Sequence, residues 1–194
     1  MSGVRSRLWH RSPLIAGLTV AAAIAAASGV APAATEPNVI ATSAMHGPVA
    51  LKSGPVTIAL NPPSGAGDTL VQRLAAVKSG GTLRLTLSGQ HTNVQPEVLY
   101  EVYLGLSAGA APSRNSGNFV GTFNFFNTVL SGQGDSQPGS PAGALAFSYD
   151  VTDLVASLRT GKLVGDGMNV TIVPAGPPNA GAHPVVGEIA LVAD

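Results

Sequence analysis

The sequence predicts an all-β protein, an antiparallel β-sandwich of about seven strands with one or two short helices. Short segments in which apolar and polar residues alternate recur along the chain, and this period is typical of strands with one buried face. The 24 glycines and 15 prolines indicate many turns. Strands are not followed regularly by helices, so a parallel α/β sheet is not indicated. The 194 residues are within the usual range of one domain.

The N-terminus, residues 1–33, has the pattern of a secretory signal peptide. Arg5, Arg7 and Arg11 provide the positive region, residues 14–27 the uncharged apolar run, and residues 31–33 (Ala-Pro-Ala) a small-residue cleavage site. The alternative is an uncleaved membrane anchor, for which about 20 apolar residues are needed. The pattern predicts a secreted or periplasmic (cell-envelope) protein.

Residues 34–54 show no sustained period, and we expect a flexible leader there. The domain itself is predicted to span 55–194, beginning with a strand at 56–60. Asp68 is a candidate cap for a short helix that ends before Gly80 and Gly81. Three apolar residues would share a face of that helix: Leu70, Leu74 and Val77.

The clearest strands follow. In residues 82–89 three leucines alternate with polar residues, and residues 100–106 (YEVYLGL) alternate in the same way. Residues 119–126 (FVGTFNFF) also predict a strand, but one that is not cleanly amphipathic, so we expect both of its faces to be partly covered. Residues 107–118 form a long polar connection. The remaining predicted elements are a Gly/Ser/Pro loop at 131–143, a strand at 145–151, a short helix that Thr152 and Asp153 can cap and that ends at Gly161, and strands at 168–174 and 186–193. All five Phe and all three Tyr lie between Tyr100 and Tyr149, so three successive strands carry the aromatic part of the core.

Charge and cysteine content exclude several classes of function. Removing three arginines with the signal leaves seven basic residues against ten acidic ones, a net charge near −3. This does not suit nucleic-acid binding, which requires a basic surface. There is no cysteine, so disulfides and thiolate chemistry are both absent.

Histidine is the first candidate for chemistry. His46, His91 and His183 remain after signal removal, each in a different predicted loop or leader. No pair has the close spacing of a metal motif, although a zinc site can use three distant histidines. The simpler interpretation is three solvent-exposed loop residues.

The sequence indicates neither a catalytic serine nor a pair of catalytic carboxylates more strongly than it indicates a histidine metal site. Ser148 lies within a strand, and the sequence has no G-x-S-x-G motif. The acidic residues have simpler interpretations as outward strand positions or helix-start residues; the candidates are Glu97, Glu101, Asp150, Asp153, Asp166 and Glu188. The Asn169-Val170-Thr171 sequon lies in a predicted strand and is interpreted as a chance match. The sequence therefore predicts no catalytic, cofactor-binding or metal-binding residues and no enzyme activity.

Five segments carry a recognisable order of motifs. YEVYLGL at 100–106 is followed by VGTFNFF at 120–126, FSYDVTDL at 147–154, NVTIVP at 169–174 and VGEIAL at 186–191. This order resembles the C-terminal domain that follows the dicopper catalytic domain in bacterial and plant-type tyrosinases (polyphenol oxidases). The resemblance covers about residues 55–194.

The resemblance implies a β-sandwich that packs on a copper domain and shields its active site, in some relatives with an aromatic side chain over the copper pair. No motif assigns that aromatic to a position here. The six histidines of a dicopper centre are absent together with the catalytic domain, so the resemblance implies no phenol oxidation by this chain.

The function predicted is therefore a non-catalytic exported module that binds proteins, accessory to a tyrosinase-like copper oxidase or another exported protein, without nucleic acid and without a membrane after signal cleavage. Two alternatives stay open. One is a small exported metal-binding protein or enzyme that uses His46, His91 and His183, and the other is a structural module of the cell envelope.

Overall fold

The computed structural model describes residues 38–65, 67–126, 128, 146–161, 163–164 and 167–194. These residues form ten strands, two α-helices and one 3₁₀-helix (Ala44–His46). The strands are β1 (Asn38–Thr42), β2 (Val49–Ala50), β3 (Val56–Leu60), β4 (Leu83–Ser88), β5 (Tyr100–Leu104), β6 (Phe119–Phe123), β7 (Phe147–Asp150), β8 (Met168–Pro174), β9 (Val185–Val186) and β10 (Glu188–Ala193). The helices are α1 (Leu70–Ala76) and α2 (Thr152–Thr160). The predicted signal peptide, residues 1–33, lies outside the described residues.

Two four-stranded sheets form the layers of the fold. Their strand orders are β1-β10-β4-β7 and β3-β8-β5-β6, and β2 and β9 form a separate two-stranded pair. Every pair is antiparallel. One hydrophobic core takes side chains from both large sheets, such as Leu85 and Leu191 from the first and Val102 and Val170 from the second. The predicted all-β, sandwich-like fold class is confirmed.

The alternating segments place their apolar residues in this core. Leu83, Leu85 and Leu87 of β4 are buried, whereas Arg84 between them is exposed. Seven of the ten strands match segments that alternation or apolar composition predicted. Because side chains in a strand point to opposite faces in turn, that pattern fixes which residues enter the core.

The aromatic residues join the two layers. Tyr100 lies 5.5 Å from Phe123 and 5.3 Å from Phe125, measured between ring centroids. Phe123 also lies 5.7 Å from Phe147 of β7, which belongs to the other large sheet. Ring centroids 4.5–7 Å apart are typical of favourable aromatic pairs. The three successive strands that carry the aromatic residues are therefore distributed over both sheets.

The expectation of a flexible leader over residues 34–54 is wrong for the described part, residues 38–54. In that part β1 pairs with β10, and β2 pairs with β9. Ile40 and Ala41 are buried in the core. The sequence of β1 does not alternate between apolar and polar residues, because the pairing of β1 with β10 shifts in register between Val39 and Ala41. Such an irregularity breaks the period-two alternation of a strand.

Both predicted helices are present, with different N-terminal details. Thr69, and not Asp68, caps α1: its hydroxyl accepts from the Gln72 N–H at 3.3 Å, and the Gln72 side chain accepts from the Thr69 N–H at 2.8 Å. This reciprocal pair is a capping box. The N-cap of α2 is Val151, so Thr152 and Asp153 are the first helical residues and not the caps that the sequence suggested. The carboxylate of Asp150 accepts from the backbone N–H and the hydroxyl of Thr152. Gly161 ends α2 as expected.

The strand registers define two opposite ends of the sandwich. Tyr100, at the start of β5, pairs with Phe123 at the end of β6 and with Pro174 at the end of β8. We call this the loop end, formed by residues 89–99, 124–126 and 175–187. At the other end of β5, Gly105 packs against Leu158 of α2, and we call that the helix end.

Candidate interaction surface at the loop end

The three histidines considered for metal binding do not form a cluster. The His46 Nε2 lies 3.3 Å from the Asn61 amide nitrogen, and the His91 Nδ1 lies 3.3 Å from the Gly89 carbonyl oxygen. His183 lies in a loop with a left-handed backbone (φ 45°). Within the described part of the chain, no group of three His, Cys, Asp or Glu side chains has a metal-binding arrangement.

Three of the carboxylates considered for catalysis, Glu101, Asp150 and Glu188, make hydrogen bonds within the fold. Glu188 accepts from the Thr42 hydroxyl at 2.7 Å, which links β10 to β1. Asp150 and Asp153 lie at the start of α2, as their sequence positions predicted. Hydrogen bonds from the Thr152 N–H and hydroxyl lower the pKa of Asp150, because they favour the ionised carboxylate. Asp166 lies outside the described residues.

Ser148 and the sequon are both on strands. Ser148 is exposed on β7, where it pairs with Thr86 of β4. Asn169 and Thr171 lie on β8, a strand paired on both sides, and the Thr171 hydroxyl is 3.0 Å from that of Thr57. Thr171 is buried, so the sequon is not available on a surface loop as glycosylation requires.

A polar network fixes the 107–118 connection on the outer face of β5. The Tyr103 hydroxyl donates to Glu101 Oε2 at 2.5 Å, and Arg114 Nε donates to Glu101 Oε1 at 2.6 Å. The Tyr103 hydrogen bond lowers the pKa of Glu101, whereas burial raises the pKa of Tyr103 to about 12. Arg114 belongs to the connection, so this ion pair ties the connection to the sheet.

Hydrogen bonds hold the segments of the loop end together. The Thr92 hydroxyl is 2.7 Å from both the Val94 and the Ala182 carbonyl oxygens. The Gln95 amide donates to the Phe125 carbonyl oxygen at 3.0 Å. The Ala175 N–H donates to the Leu99 carbonyl oxygen at 2.8 Å. These bonds join residues 89–99 to both other segments, and the surface they form is therefore preorganised.

Three large apolar side chains are exposed on this surface: Val94 (42% exposed), Leu99 (43%) and Phe126 (63%). We call these three residues the loop-end patch. Phe126 follows a fully buried neighbour, Phe125, and its N–H donates to the Asn124 side chain at 3.0 Å. The bond to Asn124 fixes the backbone at the exposed ring.

The charge around the loop-end patch is sparse. The segments 89–99, 124–126 and 175–187 contain no Lys or Arg, and their titratable residues are His91, Glu97 and His183. Apolar surface with few charges is typical of the centre of a protein–protein interface. The loop end therefore combines exposed apolar side chains with few charged residues.

Sequence reasoning did not identify Phe126 as a surface residue. The sequence nevertheless indicated its exposure. In the alternation of residues 119–126, Phe126 lies on the same face as Thr122 and Asn124 and opposite Phe123 and Phe125. An aromatic residue at the polar positions of a strand is a candidate for an exposed contact.

The fold and the surface together define a β-sandwich module with an exposed apolar patch at one end. Residues 36–194 match the model of a family described as "Domain of unknown function (DUF7868)", and the chain belongs to this family. The matched residues coincide with a compact unit, Glu36–Asp194. In the described part of the chain, no helix is both long enough and apolar enough to span a membrane.

Comparison with solved structures gives distant matches. Latent apple tyrosinase is 16% identical, with a TM-score of 0.44 over 74% of this chain and 26% of the tyrosinase chain. A recombinantly expressed latent aurone synthase (polyphenol oxidase) is 15% identical, with a TM-score of 0.45 over 75% of this chain and 25% of that chain. This chain thus spans about a quarter of the length of either structure. No curated protein matches the sequence.

Proposed function

We propose that this chain is a non-catalytic, exported β-sandwich module that docks on a partner protein through the loop-end patch, and that the partner is a tyrosinase-like copper oxidase. The observation that carries the proposal is the exposure of Phe126, Val94 and Leu99 on loop-end segments that are hydrogen-bonded to one another and nearly uncharged. Export is proposed from the signal-peptide pattern of residues 1–33.

The choice of partner follows from two sequence motifs that adjoin or contain residues of the patch. Leu99 immediately precedes the tyrosinase-like motif at 100–106, and Phe126 ends the motif at 120–126. In the domain that these motifs resemble, the sandwich packs on a dicopper domain. A patch with one residue just before the first motif and another at the end of the second is well situated to meet that surface.

Aromatic side chains dominate many interfaces because they bury a large apolar area with little loss of side-chain freedom. Phe126 is the most exposed large apolar residue among those described, so it is the best candidate for the central contact. Val94 and Leu99 would exclude water around it.

The proposal is tested with a tyrosinase-type dicopper catalytic domain that lacks its own C-terminal sandwich. Binding is measured by titration calorimetry, and phenol oxidation is measured with and without this chain. We expect a one-to-one complex and slower phenol oxidation. We expect F126S to weaken binding about thirtyfold or more, as for an interface hot spot.

Leu163 supplies the matched control, because it is 59% exposed and lies after α2, away from the loop end. L163S should bind like the wild type. Equal affinity of F126S and wild type would refute the role of the patch, and absence of any complex would refute the choice of partner. Copper or zinc bound by this chain alone at one ion per molecule would instead favour the histidine alternative.

A further inference from the structure

At the helix end, an open groove with a volume of about 510 Å³ lies between α1 and α2. Six residues line it: Val71, Leu74, Ala156, Arg159, Thr160 and Val164. Leu74 is buried, and Val71 remains 46% exposed. Four of the six lining residues are apolar and one, Arg159, is cationic, and the volume of the groove is within the range of small-molecule sites.

Arg159 gives the groove its charge. Among the described residues, the ion pairs are Arg84 with Asp194 and Arg114 with Glu101, and neither includes Arg159. The hydroxyl of Thr160 donates to the Ala156 carbonyl oxygen at 3.0 Å, so it can still accept but has no free proton. The last turn of α2 favours a cation electrostatically but supplies no carboxylate to pair with it.

We propose that this groove binds a medium-chain alkyl carboxylate. The carboxylate would pair with the Arg159 guanidinium, whose planar donors match two carboxylate oxygens. The alkyl chain would lie against Val71 and Val164 and remove apolar surface from water. Neither contact involves the loop-end patch, and the proposal is independent of the oxidase partner.

The test compares decanoate with decanol, which has the same chain and no charge. Calorimetric titration of the wild-type chain should show saturable binding at one site, with decanoate tighter than decanol and hexanoate weaker than decanoate. R159Q should weaken decanoate binding about tenfold and remove most of the preference for decanoate over decanol.

Matched charge variants locate the site. V71E places a carboxylate in the groove, at a first-turn helix position where acidic residues are favoured, and it should abolish decanoate binding. V94E makes the same change at a residue of similar exposure at the loop end, and it should bind decanoate like the wild type. Non-saturating binding, unchanged affinity of R159Q, or equal loss in V71E and V94E would each overturn the proposal. Far-ultraviolet circular dichroism of each variant confirms that it is folded.

Discussion

Gly105 shows how one residue without a side chain allows a helix to pack against the sheet. Its backbone is left-handed (φ 66°), and a Cβ built there would lie 2.8 Å from the Leu158 Cδ1 of α2. We predict that G105A destabilises the protein by about 3 kcal/mol or more, because backbone strain and overpacking add. Urea unfolding would measure the change.

A substitution at Gly109 distinguishes backbone strain from overpacking. It has a similar backbone (φ 77°), but nothing lies within 4 Å of the position that an alanine methyl group would occupy. G109A should therefore cost only the strain of about 1–2 kcal/mol. Shortening Leu158 to Ala should cost less in the G105A background than in the wild type, because the clash is relieved. Equal losses in G105A and G109A would contradict the packing explanation.

Strand β1 is the element whose contribution differs most from the sequence-based expectation. It covers one edge of β10 and supplies Ile40 and Ala41 to the core, and the following residues supply Val49 and Leu51. We predict that a chain beginning at residue 55 fails to unfold cooperatively, whereas one beginning at residue 36 unfolds as a single unit. Losing several core residues at about 2–5 kcal/mol each exceeds the margin of an ordinary domain.

A single substitution in β1 tests the contribution of this strand without removing it. I40A should lower the free energy of unfolding by about 2–5 kcal/mol, because it leaves a cavity in the core. V71A removes methyl groups from a half-exposed helix position and should change stability by less than about 0.5 kcal/mol. A cooperative 55–194 chain with wild-type stability would restore the view that residues 38–54 are a leader.

The elements that the sequence predicted correctly are those in which one local pattern persists over several residues. β4 alternates cleanly, so its buried face could be assigned in advance. In β5 the alternation correctly assigned Tyr100, Val102 and Leu104 to the core, but Tyr103 on the opposite face is buried as well. β2 and β9 have only two residues each, too few to show a period, and β1 contains a register shift. Their pairing depends on partners far along the chain.

The candidate surface was less predictable for the same reason. Leu99 and Phe126 were visible as apolar residues, but their exposure depends on how segments 89–99 and 124–126 meet. The alternation of 119–126 indicated which face Phe126 occupies, yet it gave no information on what covers that face. The helix-end groove likewise depends on α1 and α2 meeting in space.

At the scale of the whole molecule, the three tyrosines make the stability of the fold depend on pH in the alkaline range. Burial raises the pKa of Tyr100, Tyr103 and Tyr149 to about 12 each. Tyr149 also donates its hydroxyl proton to the Thr122 carbonyl oxygen at 2.8 Å, which joins β7 to β6 across the two sheets. The neutral phenol is therefore the form that the folded state accommodates.

An unfolded tyrosine releases its proton near pH 10, with the exact value set by its neighbours to about one unit. Between about pH 10 and about pH 12 the folded state therefore binds more protons than the unfolded state, and stability falls as the pH rises. Each tyrosine contributes a slope of about 1.4 kcal/mol per pH unit, so three contribute about 4 kcal/mol per unit.

We therefore predict that the chain unfolds cooperatively between pH 10 and 12, and that tyrosinate absorbance and loss of the β-sheet circular dichroism signal appear together. Y149F should reduce the slope by about a third, because one of three titrating groups is gone, and it should lower stability at neutral pH through loss of the Thr122 bond. Three tyrosines that ionise near pH 10 in a chain that stays folded would show that their hydroxyls are open to water, and the Tyr149–Thr122 hydrogen bond between the two sheets would then have to be abandoned.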